Sequence, residues 1–198
     1  MTPSTSRATS TRSTGPVLLV GHSYGGAVIS VAGASTPNAV GLVFVAAFAL
    51  DEGESFAEIF AQFGDTPLLS AVRPGNYPLP SGGTAVELTI RPELYRPAFA
   101  ADLPSEQTVV LAVSQRPFAA IFDDRAQAAA WKTLPSWAVV ATSDKAIPPE
   151  GERHMAKRAG AQMIEVDASH SIALSQPAAV VELIRTAVAA TSAAPSAA

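Results

Sequence analysis

The first group in this chain that could do chemistry is a serine between glycines, Gly21-His22-Ser23-Tyr24-Gly25. Four apolar residues, Val17 to Val20, lead into it, and Gly26, Ala27 and further apolar residues follow. That order reads as strand, sharp turn and helix, with the Ser23 hydroxyl at the tip. In so tight a turn, side chains at positions 21 and 25 are expected to collide, which gives glycine a reason there. The helix that follows points its N-terminus at the same place and favours developing negative charge. A serine hydroxyl is a weak nucleophile until a base takes its proton. Three histidines compete for that role. His22 adjoins the serine, and the turn is expected to aim its ring elsewhere. His154 lies among Glu152, Arg153, Lys157 and Arg158, a run that reads as a solvated helix face. His170 follows a buried strand and opens a loop, so it is the expected base. An imidazole base needs a carboxylate to fix its tautomer. Asp144, directly after another buried strand, is the expected carboxylate. Its competing reading is a turn or N-cap residue before Pro148. Asp51 is the runner-up acid, and Asp167 is too near His170 along the chain to orient it.

Ser23, Asp144 and His170 can meet only if three strands end side by side. Apolar runs at 17–20, 40–48, 137–142 and 163–166 supply such strands, each apolar enough for a parallel sheet covered on both faces. Helices are predicted over 27–34, 152–159 and 177–188, which makes βαβ units with right-handed crossovers. In open α/β sheets, ligands bind outside the carboxyl ends of the strands, where all three side chains would lie. The segment 51–130 differs. Phe56, Ile59, Phe60 and Phe63 fall at helical spacing, so 54–63 is predicted as an amphipathic helix. Gly75, Pro78, Pro80, Gly82 and Gly83 predict loops. Residues 85–90 predict a short strand stopped by Arg91-Pro92. Ser105 is expected to cap a helix through Val113, and 118–123 to be a further helical piece. The resulting division is a disordered tail over 1–15, a core from 16–50 and 131–190, a lid over 51–130 and a flexible tail over 191–198. Taken singly, each phenylalanine of the lid is expected to pack as ordinary core.

Composition narrows the function. Hydrophobic residues make up 48% of 198, enough for one domain with a real core. The formal net charge of −4 gives no reason to expect nucleic acid or an anionic membrane as partner. With no cysteine, disulfides and thiolate sites are excluded. No histidine pair has zinc-site spacing, so no metal and no cofactor are expected. The Ser/Thr-rich start has no apolar h-region for a signal peptide, and no run approaches a membrane span, so the expected location is cytoplasmic. A transit peptide is the remaining targeting alternative.

The stretches VLLVGHSYGG (17–26), VGLVFVAAFALDEGES (40–55), ATSDKAIPP (141–149) and VDASHSIALSQP (166–177) resemble the α/β-hydrolase superfamily. The pattern is similar to small bacterial esterases related to plant methyl esterases and hydroxynitrile lyases. The order Ser, Asp, His is that of the superfamily. The resemblance implies a serine that attacks an ester carbonyl and forms an acyl-enzyme, with the Tyr24 N–H as half of the oxyanion hole. It implies a small-molecule ester as substrate. Such hydrolases place about four strands ahead of the serine strand. Here the serine is residue 23, so a truncated fold is expected, without the His-Gly loop of the second oxyanion donor. Strand 17–20 then becomes an open edge through which a homo-oligomer could form. The alternative function is a catalytically impaired homologue that acts as a binding or interaction protein. The lyases carry a lysine just after the histidine, whereas this chain has Ser171, which favours ester hydrolysis.

Overall fold

The computed structural model of the chain describes residues 13–192. The tails expected over 1–15 and 191–198 therefore fall mostly outside the described residues. Within them, Asn38 Nδ2 donates to the carbonyls of Ser13 and Gly15, and residues 191–192 continue the last helix.

β1 (Val17–Ser23) passes directly into α1 (Tyr24–Gly33), and β2 (Ala39–Ala47) returns parallel to β1. α2 (Phe56–Phe63) follows, capped reciprocally: Glu58 N–H donates to Ser55 Oγ and Ser55 N–H to Glu58 Oε2. Next come α3 (Pro67–Ala71), β3 (Val72–Pro78), β4 (Thr84–Ile90), α4 (Pro92–Phe99), α5 (Ser105–Ser114) and β5 (Phe118–Ala119). The chain closes with β6 (Ser136–Ala141), α6 (Pro149–Arg158), β7 (Gln162–Val166), α7 (Ile172–Ser175) and α8 (Pro177–Ser192).

Two sheets result. The main one has the order β1-β2-β6-β7 with every pairing parallel. The alternation of β2 explains why its sequence is apolar throughout. Leu42 and Phe44 pack with Ile29 of α1 and Met155 of α6 on one face. Val43 and Val45 pack with Val180 and Leu183 of α8 on the other. Among the described residues β1 is an edge of this sheet.

The second sheet, β3-β4-β5, is antiparallel and lies within 51–130. It corrects two expectations. The Gly/Pro-bearing stretch 72–78 is a strand, because β3 is an edge and its prolines need no ladder donor on the open side. Residues 118–119 pair with β4 instead of starting a helix. The helices α3 and α4 were not legible: each is short and opens on a proline at its N-terminus. Ser105 is the first residue of α5 rather than its cap, which is Pro104. α6 begins at Pro149, three residues before the expected start. Among the described residues no helix is long and apolar enough to cross a membrane.

Candidate active site

Ser23 joins β1 to α1 with φ 55° and ψ −126°. A residue with a side chain holds such a backbone only under constraint, at a cost of about 1–3 kcal/mol. The constraint comes from β2. Phe48 N–H donates to Ser23 O at 3.2 Å. The pairing also slips here: His22 faces Val45 and Ser23 faces Ala47, which leaves Ala46, at φ 41°, as the extra residue of a bulge. A Cβ on Gly21 would run into the backbone carbonyl of Gly25. A Cβ on Gly26 would lie 2.5 Å from Phe48 O and 2.8 Å from Ala47 Cβ. Gly25 itself faces open space, so the crowded pair is 21 and 26, not 21 and 25.

Asp144, after β6, uses its two oxygens differently. Oδ1 accepts from Ala146 N–H at 2.6 Å and Ile147 N–H at 3.0 Å, which makes the turn before Pro148. Oδ2 lies 2.6 Å from His170 Nδ1. The turn reading and the partner reading of Asp144 therefore both apply. Asp144 is 6% exposed and His170 fully buried. Burial pushes the Asp144 carboxyl up, but His170 and the two turn amides outweigh it and hold the group below its ordinary value. Against that carboxylate Nδ1 must carry the hydrogen, which leaves Nε2 as an acceptor. Nε2 is buried and has no hydrogen-bond partner.

The loop that carries His170 is gripped from α4 and the residues after it. Phe99 O accepts from Ser171 N–H at 3.2 Å and Ser171 Oγ at 3.0 Å. Asp102 accepts from Ser169 N–H at 3.0 Å and from Ser169 Oγ. The Phe99 ring stands edge-on to the imidazole, centroids 4.7 Å apart.

His22 departs from expectation. Its ring is not aimed away: it lies 4.6 Å from the His170 ring, and Nε2 is 2.9 Å from His170 O. A carbonyl only accepts, so Nε2 of His22 carries the hydrogen. Part of the residue is exposed, yet burial of the ring and the neighbouring His170 lower its pKa to about 4. Ser23 is thus the chain neighbour of a residue in direct contact with His170. No hydrogen bond joins Ser23 Oγ to His170 Nε2 in this structure.

The other candidates are engaged elsewhere. Asp51 pairs with Lys132 and accepts from Glu52 N–H. Asp167 accepts from Ser143 Oγ at 2.7 Å. His154 is half-buried against the Phe63 ring, 5.1 Å between centroids, rather than fully solvated. Among the described residues no cluster of three or more His, Cys, Asp or Glu could hold a metal ion.

Ser23 opens on a cavity of about 520 Å³ between the main sheet and the segment 51–130. That volume suits a small organic ligand. Eight aromatic rings line its wall, Tyr24 and Phe48 from the main sheet side and six, Phe56 and Phe122 among them, from 51–130, and no charged residue lines it. Phe56 and Phe60 are core residues and wall at once.

Three residues of the site escape sequence reasoning: His22, Asp102 and Glu152. Glu152 reads as surface charge but is 3% exposed. Its spacing with Met155, Ala156 and Ala159, all buried, was the available signal.

Residues 5–183 match the family described as the alpha/beta hydrolase family. The chain belongs to that family. No curated protein matches its sequence. Among solved structures, it is similar to polyneuridine aldehyde esterase at 20% identity, with 93% of this chain and 77% of that one covered and a TM-score of 0.79. A methylesterase, MES16 from Arabidopsis, is similar at 16% identity, covering 92% and 74%, with a TM-score of 0.73. A pyrethroid hydrolase from Sphingobium faniae JZ-2 is similar at 22% identity, covering 90% and 73%, with a TM-score of 0.71. Likeness at these identities is likeness of fold.

Proposed function

We propose that this chain is a serine hydrolase of the carboxylesterase type, acting on a small uncharged ester with a bulky apolar or aromatic part. One observation carries the reading: His170 is buried with Nδ1 on an ionised Asp144 and Nε2 free to accept, and its ring packs on His22, the chain neighbour of a serine on a strained strand–helix turn. Ser23 Oγ attacks the ester carbonyl carbon while Nε2 takes its proton. The tetrahedral oxyanion lies at the N-terminus of α1, where Tyr24 N–H donates to it. The imidazolium, steadied by Asp144, returns the proton to the alkoxide, and the alcohol leaves. Water then attacks the acyl-enzyme, His170 takes its proton, and Ser23 leaves as the acid product forms. The charge-free aromatic wall supports the substrate class, since a charged group would lose its hydration there without a partner. Similarity in fold to esterases and to a pyrethroid hydrolase supports the same reaction class.

The test is hydrolysis of p-nitrophenyl acetate and a p-nitrophenyl aryl ester by the chain and by Ser23→Ala. The parent should show an acyl-enzyme burst and prefer the aryl ester. Ser23→Ala should lose the burst and at least about 10³-fold in kcat. Equal rates would end the reading and favour a binding protein that uses the same cavity.

A further inference from the structure

At the end of β6, bonded to Ala141 just before Asp144, lies a second carboxyl that the reaction above does not use. Glu152 sits one turn into α6 on its buried face, 3% exposed. Its Oε2 accepts from Ala141 N–H at 3.2 Å, and Oε1 meets no donor. Glu152 and Asp144 are both held on Ala141, whose N–H donates to Glu152 Oε2 and whose carbonyl accepts from Asp144 N–H at 3.1 Å, and the two buried carboxyls interact directly. We infer that Glu152, as a carboxylic acid, donates a hydrogen bond to the Asp144 carboxylate and so positions the Asp144–His170 pair. The kinetic part of this inference rests on the hydrolase reading; the contact itself does not.

Two carboxyl groups in contact share one proton, because both cannot ionise side by side away from water. The surroundings decide which keeps it. Asp144 has the donors: two turn amides and His170. Glu152 has one backbone amide and no cation. Its neighbour Arg153 is turned to Glu150 and Glu165, each at 2.7 Å. Beyond Asp144 the titratable groups are His170 and, against it, His22. β2 and β6 offer only apolar side chains such as Phe44 and Val139, around a void of about 10 Å³ that is at the lower limit for one water. Burial and the adjacent Asp144 push the Glu152 carboxyl well above its ordinary value. Its proton therefore has Asp144 as the acceptor. The bond fixes which way the carboxylate faces, and it draws charge away from the oxygen that holds His170.

The experiment uses the full chain with Glu152→Gln and Glu152→Leu. The amide of Gln keeps a donor of the same length; Leu fills the space without one. Infrared difference spectra at neutral pH, parent against Glu152→Gln, should show the carbonyl stretch of a protonated carboxylic acid in the parent. That readout needs no activity and needs only the variant that keeps the donor. Its absence overturns the inference. With p-nitrophenyl aryl ester, Glu152→Gln should keep kcat and the acid limb of kcat/KM, which reports protonation of the base. Glu152→Leu should lose kcat by roughly tenfold at unchanged KM, about the weight of one hydrogen bond to a charged group. Its acid limb should move to higher pH, since Asp144 then keeps more charge against the imidazolium. Parent-like kinetics for Glu152→Leu would make Glu152 packing alone and overturn the inference. So would a downward shift of the acid limb in Glu152→Gln, the sign of a removed negative charge. If Ser23→Ala is as active as the parent, the hydrolase reading fails while the infrared band still judges the contact.

Discussion

At Asp144, one oxygen builds a turn and the other faces an imidazole, so a change there touches structure and chemistry together. Asp144→Asn keeps the shape but lets the amide present its N–H to Nδ1, which favours the wrong tautomer. We expect kcat to fall by about 10⁴-fold with a melting temperature close to the parent's. His22 gives a prediction of a different kind. Its pKa is lowered from 6.5 to about 4. Between those values the unfolded chain takes up a proton at this ring that the folded chain refuses. Folding stability should therefore fall as pH drops through that window and stop falling from this source below about 4. Titration of the ring by NMR should give a midpoint near 4, and a midpoint near 6.5 would contradict the packing described. The Asp144–His170 pairing was legible because strand ends are legible: each of the two, like Ser23, follows an apolar run. His22 was not, because its direction depends on the bulge at Ala46, which no local pattern announces.

Elements decide whether those residues face one another. The crossing of α1 over β2 depends on Gly26, where any side chain would press on Phe48 O. Gly26→Ala should destabilise the fold by about 1–3 kcal/mol, read from urea unfolding, with Gly25→Ala much milder because position 25 is open. The His170 loop depends on the end of α4. Asp102→Ala removes the acceptor of both Ser169 donors and should lower kcat more than it raises KM. Of these elements, the parallel strands and the long helices could be read in advance, since two-sided burial leaves a continuous apolar run and one-sided burial leaves a period of 3.6. The antiparallel strand β3 could not: two prolines and a glycine are loop signals unless the strand is known to be an edge. Glu152 shows the converse, a charged residue on a buried face whose place only tertiary contact reveals.

At the scale of the whole molecule, residues 51–130 are tied to the sheet at both ends. Arg158 of α6 bonds Glu54 at 2.6 and 2.9 Å and Ala49 O at 3.0 Å. Trp131 Nε1 donates to Leu50 O at 2.9 Å. Glu54→Gln leaves the half-buried guanidinium with a weaker acceptor and should cost about 1–2 kcal/mol of stability, read from the unfolding midpoint. These ties hold the six aromatic rings that 51–130 brings to the wall of the cavity, which has no charged residue in its lining. If an ester is cut there, a neutral guest becomes an anion in a chamber that offers it no counter-ion. The acid is then expelled by the same wall that drew the ester in, so turnover should be limited little by accumulating acid, and the free acid should compete far more weakly than an uncleavable amide of the same shape.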